Sequence, residues 1–243
     1  MLTVLVIRKG VDVKAKKFII IVILAIAILF PSASLGERIY TLLDTSKLPP
    51  NVMQQLLSDG QLLMVKENAQ GKLELITAGV LVNKPPQDVY DVIHDYEHYP
   101  EFMPSVVKSE VIYRSPDGKV EHVRHHVKFK FSILSYTVVY TLKNDLYPPR
   151  GMKWDLLEGD LASSYGSWEL VPLDGGKRTA AFYSVYSDIR SINWIVRKFV
   201  EATPGMEMAI NASTCVLVLK SIKARAEGGA SYKLQNTEET GAK

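Results

Sequence analysis

The sequence predicts an α+β domain in which a curved antiparallel sheet wraps around one long carboxy-terminal helix. Two observations predict this arrangement. Residues 204–226 carry apolar side chains at steps of three and four, which is the spacing of one helix face. These positions are Met208, Ala209, Ala212, Cys215, Val216, Leu219 and Ile222. Residues 72–188 are dominated by strand patterns apart from one helical segment, so a sheet is the element available to cover this face.

The carboxy-terminal helix has clear start and stop signals. Thr203 can cap it, Pro204 suits the first turn, and Gly228 and Gly229 follow its end. At about 1.5 Å per residue it is roughly 34 Å long, enough to cross a small domain. Its first half carries small residues. They either leave room for a ligand or let the helix and the sheet approach closely.

The remaining elements are predicted from local patterns. A proline-led helical segment starts near residue 83 and ends at Tyr99-Pro100. Ser191 is predicted to cap a short helix that reaches Ala202. A turn at residues 115–118 joins the first two strands of the main sheet. The predicted strands are residues 61–66, 72–82, 106–114, 120–133, 136–142, 152–157, 164–171 and 179–188, and a further short helix is predicted at 51–58.

The amino terminus has the layout of a secretory signal peptide. Basic residues precede an apolar run at 18–30, and small residues follow at 31–36. We expect cleavage after Gly36 and a periplasmic product. The alternative is an uncleaved membrane anchor, although thirteen apolar residues are short for a span. The predicted organisation is therefore a signal at 1–36, an extension at 37–71, the main domain at 72–227 and a flexible tail at 228–243.

The charge distribution argues against a nucleic-acid partner. The first 36 residues hold five of the 29 basic residues and one of the 26 acidic residues, so the rest of the chain is nearly neutral. Phosphate binding requires a concentrated positive surface. Cys215 is the one cysteine, and its place on an apolar helix face predicts a buried small side chain rather than a nucleophile.

Two segments carry a family resemblance. The first is residues 82–104, VNKPPQDVYDVIHDYEHYPEFMP, and the second is the hairpin that begins with YGSWEL at 165–170 and continues through a glycine turn to Thr179. Both resemble the START-like superfamily, which includes polyketide cyclase/dehydrase, lipid-transport and coenzyme Q-binding proteins. The resemblance covers about residues 72–226. It implies a helix-grip fold with an apolar cavity between sheet and helix.

The resemblance also implies which residues bind a ligand such as a lipid, a quinone or a polyketide. It places Tyr99 and Phe102 at one end of the cavity. It turns Phe129, Phe131 and Trp168 towards the interior and puts Met208 and Ala212 on the helix side. The alternative for each is ordinary core packing.

His125 is the histidine whose position suggests a function. It falls on the apolar face of its strand, where a neutral imidazole needs a partner such as the hydroxyl of Tyr136 or Tyr140. It could anchor a ligand carbonyl, act as a base, or be a satisfied core residue. His94 and His98 have zinc-ligand spacing but lack further ligands, so we expect a surface pair and neither metal nor cofactor.

These observations favour a protein that binds or transports a hydrophobic small molecule. Serine-hydrolase and nucleotide-binding motifs are absent from the sequence. The alternative is a cyclase- or dehydratase-like enzyme that uses His125 and Tyr140. A third hypothesis is an interaction protein whose cavity is filled by its own side chains. Arg190, Trp194, Arg197 and Lys198 are expected either to contact a membrane peripherally or to form a solvated face.

Overall fold

The computed structural model describes residues 2–8, 38–58, 60–131 and 134–229, although the side chains of residues 5–8, 130, 131 and 134 are outside that description. The strands are β1 (Leu2–Arg8), β2 (Gly60–Glu67), β3 (Leu73–Val82), β4 (Val106–Arg114), β5 (Val120–Phe131), β6 (Leu134–Tyr147), β7 (Gly151–Gly159), β8 (Ser164–Leu173) and β9 (Arg178–Ser187). The helices are α1 (Pro50–Ser58), α2 (Pro86–His94), α3 (Tyr99–Phe102), α4 (Trp194–Ala202) and α5 (Met206–Ala226).

The nine strands form one antiparallel sheet in the order β1-β2-β3-β9-β8-β7-β6-β5-β4. The sheet is open, with β1 and β4 as its edges, and α2, α3 and α5 pack on its inner face. This is the helix-grip arrangement that the sequence predicts. None of the helices in the described part of the chain is both long enough and apolar enough to cross a membrane.

The edge strand β1 lies inside the range that the sequence assigns to the signal peptide. It pairs with β2 from Leu2 opposite Lys66 to Arg8 opposite Gly60. The predicted apolar run and the predicted cleavage site fall in residues 9–37, which lie outside the described residues. Cleavage after Gly36 therefore stays a prediction, and it would make β2 the edge of the sheet.

The amino-terminal extension covers the outer face of the sheet. Strands β3 and β9 are apolar on both faces, so both faces need cover. Residues 38–58 supply it on the outside. The resulting outer core contains Leu42, Leu43, Met53, Leu57, Leu62, Met64, Leu75, Leu173, Ala180 and Phe182. Gly79 allows the close approach there, because a Cβ at this position would lie 2.6 Å from the Phe182 ring.

Helix α5 begins two residues later than predicted. Gly205 is its N-cap with a φ of 78°, a left-handed conformation that favours glycine. Thr203 instead ends α4, since its N–H donates to the Val200 carbonyl. The cap of α4 also differs from the prediction. Asn193 Oδ1 accepts hydrogen bonds from two backbone amides of its first turn, each at 2.9 Å, whereas Ser191 ends a short 3₁₀ turn.

The buried face of α5 includes two polar residues that the apolar pattern placed elsewhere, Asn211 and Ser221. Asn211 is buried because its amide is satisfied. Its Oδ1 accepts from the Ser187 N–H at 3.0 Å, and its Nδ2 donates to the Ser187 carbonyl at 3.2 Å. Cys215 is fully buried, as predicted, while Ala209 is exposed. The buried face of α5 is therefore displaced around the helix axis from the face that the apolar residues predict.

Candidate ligand-binding cavity

A cavity of about 950 Å³ lies between the inner face of the sheet and the first half of α5. This volume is at the upper end of the range of about 300–1,000 Å³ that is typical of small-molecule sites. Most of the wall is apolar. Its apolar residues include Met103, Val106, Val127, Leu142, Met152, Trp154, Leu161, Trp168, Val185, Ile189, Ile210, Leu217 and Val218.

The opening of the cavity is marked by the exposed residues of its wall. They are Ser105, Val107, Lys128, Ala209, Ser213 and Thr214. The first three lie at the start of β4 and near the end of β5, and the last three lie on the first half of α5. A ligand would therefore enter between the β4–β5 edge and α5.

The inner part of the wall carries polar groups that already have partners in the protein. Asn144 Nδ2 donates to the Tyr96 hydroxyl at 3.3 Å, and that hydroxyl donates to the Met152 sulfur at 3.4 Å. The Tyr99 hydroxyl donates to the backbone carbonyl of Ile93. These groups are held in place by the fold.

Among the histidine and tyrosine side chains of the wall, those of His125, Tyr140 and Tyr183 have no hydrogen-bond partner among the described residues; we call these three residues the polar triplet. His125 lies opposite Tyr140 in the β5–β6 register, so both side chains point to the inner face, with ring centroids 5.6 Å apart. Tyr183 enters the same cavity from β9. Because Tyr140 and Tyr183 are half-buried and border the cavity, a ligand oxygen or a water molecule can reach and hydrogen-bond these groups.

The rings of the polar triplet are fixed by aromatic neighbours. His125 stacks on Tyr99 with centroids 6.0 Å apart and planes 15° apart. Tyr183 packs against Trp168 at 4.5 Å and Trp154 at 5.4 Å. Such contacts hold a polar group in one orientation before a ligand arrives.

Burial keeps all three residues uncharged. Desolvation lowers the pKa of His125 to about 4, with a smaller contribution from His126, and it raises the pKa of Tyr140 to about 12. It also raises the pKa of Tyr183 well above its usual value. At neutral pH the triplet therefore offers hydrogen bonds from neutral groups and no charge.

The structure brings together four of the eight predicted site residues. Tyr99, His125, Phe129 and Trp168 line the cavity. Phe102 does not, because it is fully buried beneath Tyr99, with ring centroids 5.6 Å apart. The side chain of Phe131 is outside the described residues.

The two helix residues of the predicted site, Met208 and Ala212, do not line the cavity. They pack against the main core, and the helix wall consists of Met206, Ala209, Ile210, Ser213, Thr214, Leu217 and neighbouring residues. The reason is that the fully buried stripe through Cys215, Leu219 and Ile222 packs against protein. The cavity therefore borders the neighbouring stripe of the helix surface, which includes Ala209, Ile210 and Ser213.

Sequence reasoning also missed Asn144 and Tyr183. Tyr183 lies in a strand that was predicted, but that strand also carries Phe182 and Tyr186, whose side chains pack in the outer core on the opposite face. The alternation alone does not say which face borders empty space.

The histidine pair at His94 and His98 does not converge on one site. His94 Nε2 lies 2.9 Å from the buried Glu121, and His98 Nδ1 lies 2.6 Å from Asp95. Within the residues that the structure describes, no group of three His, Cys, Asp or Glu side chains is placed to hold a metal ion.

Comparison with solved structures identifies similar folds. A STAR-related lipid transfer protein from Xanthomonas axonopodis is 15% identical, with 68% of this chain and 93% of that chain covered and a TM-score of 0.50. The Zhui aromatase/cyclase from a Streptomyces species is 20% identical, with 64% and 98% covered and a TM-score of 0.49. A START superfamily protein from Mycobacterium smegmatis is 18% identical, with 63% and 96% covered and a TM-score of 0.46.

At 15% identity and a TM-score of 0.50, the match to the lipid transfer protein shows a likeness of fold alone. No curated protein matches the chain. A sequence model of one family, described as polyketide cyclase / dehydrase and lipid transport, matches residues 82–206. This range contains the segment 82–104 and the late hairpin on which the predicted resemblance rests, and the resemblance is confirmed. The chain belongs to the polyketide cyclase/dehydrase and lipid transport family.

Proposed function

We propose that this protein binds and carries a hydrophobic small molecule, such as a lipid, a quinone or a polyketide, in the cavity between the sheet and α5. The observation that carries the proposal is the combination of a largely apolar cavity of about 950 Å³ with the unpartnered polar triplet. A ligand that buries about 300 Å² of apolar surface gains on the order of 7 kcal/mol before the entropy cost of binding. The volume also argues against a cavity filled by the protein's own side chains.

A cyclase- or dehydratase-like activity is the second candidate. The observation in its favour is the imidazole of His125 beside the phenol of Tyr140 on a cavity wall. However, a general base is most effective when its pKa lies near the working pH, and burial lowers the pKa of His125 to about 4. Binding without chemistry therefore fits the site better.

We also propose that the protein is exported and touches a membrane beside the cavity opening. Trp194 is 67% exposed and Phe199 is 47% exposed on α4, next to the exposed cations Arg197 and Lys198. Each cation close to an anionic lipid surface adds about 1 kcal/mol of attraction. Arg190 contributes less, because Asp188 and Glu207 lie 3.1 and 3.3 Å from its Nε.

The position of α4 links membrane contact to ligand exchange. Its buried side chains Val196 and Val200 belong to a small cluster with Met206 and Ile210. Met206 and Ile210 are also part of the cavity wall. A membrane-bound α4 would therefore sit beside the cavity, as expected of a lid.

Native mass spectrometry of the protein purified from its host, followed by solvent extraction, tests the proposed ligand. Recovery of a lipid, quinone or polyketide supports it. A persistently empty protein that also fails to bind an apolar fluorescent probe contradicts it. Product formation from a candidate polyketide, lost in His125→Phe, would instead support the enzyme.

Two further measurements test export and membrane contact. Amino-terminal sequencing of the mature protein should find Glu37 first, and a retained residue 1 in the membrane fraction would indicate an anchor. Liposomes containing anionic lipid should change the tryptophan fluorescence of the native protein but not that of Trp194→Phe. An unchanged spectrum of the native protein would contradict the proposed membrane contact.

A further inference from the structure

The charge of the cavity wall limits what the cavity can bind. Among the described residues of the wall, Lys128 is the one charged side chain, and it is exposed at the opening. Every other polar side-chain group there is neutral: a hydroxyl, an amide, an imidazole, a phenol, an indole N–H or a thioether. A charged ligand group taken deep into the cavity would find no counter-ion.

We infer that the ligand of this cavity is uncharged at its buried end and carries there a carbonyl or hydroxyl oxygen that the polar triplet hydrogen-bonds. The inference rests on the proposed function, because it names the chemical class of molecule that the same site takes. A phosphate or carboxylate headgroup would have to remain at the opening near Lys128.

The donors of the triplet define the complementary ligand group. The hydroxyls of Tyr140 and Tyr183 and the one N–H of a neutral His125 can each donate a hydrogen bond, and none is used by another described residue. An acceptor oxygen on the ligand can satisfy such a donor. A purely hydrocarbon ligand would leave these donors unpaired, and an ammonium group would bury a charge for which the described wall offers no counter-ion.

The carboxyl end of an acid could reach the polar triplet only in its protonated form. With a usual carboxyl pKa of about 4 to 5, the protonated fraction falls about tenfold for each pH unit above that value. Binding of an acid should therefore weaken with rising pH, whereas binding of a neutral molecule with the same chain should not. His125 does not cancel this difference, because the low pKa caused by its burial keeps it neutral over the same range.

The experiment compares chain-matched ligands on the full-length protein. Decanol, methyl decanoate and decanoic acid are each titrated as competitors of a bound apolar fluorescent probe at pH 8, 7 and 6. We expect the two neutral ligands to compete at least tenfold better than the acid at pH 8. The acid should gain about tenfold per pH unit on acidification, while the neutral ligands change less than twofold.

Two variants test the hydrogen bonds themselves. Tyr140→Phe and Tyr183→Phe each remove a hydroxyl that no described residue uses, so both should fold normally. Each variant should lower the affinity for methyl decanoate about fivefold to tenfold. Each should change the affinity for the apolar fluorescent probe less than twofold. Tyr147→Phe, on an exposed residue of the same strand as Tyr140, is the matched control and should change neither.

Equal competition by decanoate and decanol at pH 8 would overturn the inference and leave the proposed function standing. The same holds if both tyrosine variants bind methyl decanoate as tightly as the native protein. If the native protein binds neither the probe nor any of the three ligands, the proposed function itself is contradicted.

Discussion

Replacing Ala209 and Ala212 by phenylalanine, one at a time, tests the orientation of α5. The two residues lie three positions apart on the same helix, so the intrinsic cost of phenylalanine, about 0.5 kcal/mol, is common to both. Ala209 is exposed and lines the cavity. Ala212 packs against the main core. A phenyl ring at 209 has empty space to enter, whereas a ring at 212 meets packed side chains.

The expected magnitudes follow from this difference. A phenyl ring in the cavity covers on the order of 100 Å² of wall, and at about 25 cal/mol per Å² this removes about 2.5 kcal/mol of ligand binding, or roughly 70-fold. Ala209→Phe should therefore lose probe binding and little stability. Ala212→Phe should lose about 1 to 3 kcal/mol of unfolding free energy through overpacking and keep its affinity for the probe.

Urea unfolding followed by circular dichroism and titration with an apolar fluorescent probe measure the two effects. The reasoning is refuted if the outcomes are exchanged, with Ala212→Phe stable and unable to bind. That result would place the cavity against the stripe that the sequence alone suggests, and α5 would be rotated from the orientation described here.

The remaining predictions concern single buried groups. Because burial lowers the pKa of His125 to about 4, the unfolded chain binds a proton between about pH 6.5 and 4 that the folded state does not. The free energy of unfolding should therefore decrease as the pH is lowered through that window, by about 3 kcal/mol in total. Urea unfolding at several pH values should show a weaker pH dependence for His125→Phe but not for the control His122→Gln. Thr77→Val should cost about 1 to 3 kcal/mol, because the buried Ser184 hydroxyl loses a partner 2.7 Å away, and a loss below about 0.5 kcal/mol in urea unfolding would contradict that role. Leu57→Ala should cost about 2 to 5 kcal/mol in the same assay if α1 covers the sheet, and a near-native midpoint would show that it does not.

Burial on both faces explains why the amino-terminal extension belongs to the folded unit. Strand β2 lies within the extension and pairs with β3, and residues from 42 to 57 pack over the outside of β3 and β9. The family match begins at residue 82, after these elements. The match therefore does not cover the residues of the extension and of β2 that contribute to the outer core.

The sequence alone determined the fold class, the order of most elements and the inward direction of His125. These properties follow from local periodicity: alternation along a strand assigns a face, and three- and four-residue steps identify a helix. The motif at residues 82–104 also indicated the family to which the chain belongs. Tyr99 on α3, Phe129 on β5 and Trp168 on β8 line the cavity, where the resemblance to the family places them.

The tertiary structure decided which side of α5 borders the cavity, because a helix pattern does not set the rotation of the helix against a sheet formed by distant residues. Asn211 is buried by its bonds to Ser187, 24 residues away, which no local pattern shows. The same reason applies to the polar triplet. His125, Tyr140 and Tyr183 come from three strands, and their shared lack of partners exists only once the curved sheet and α5 enclose a space that the protein leaves empty.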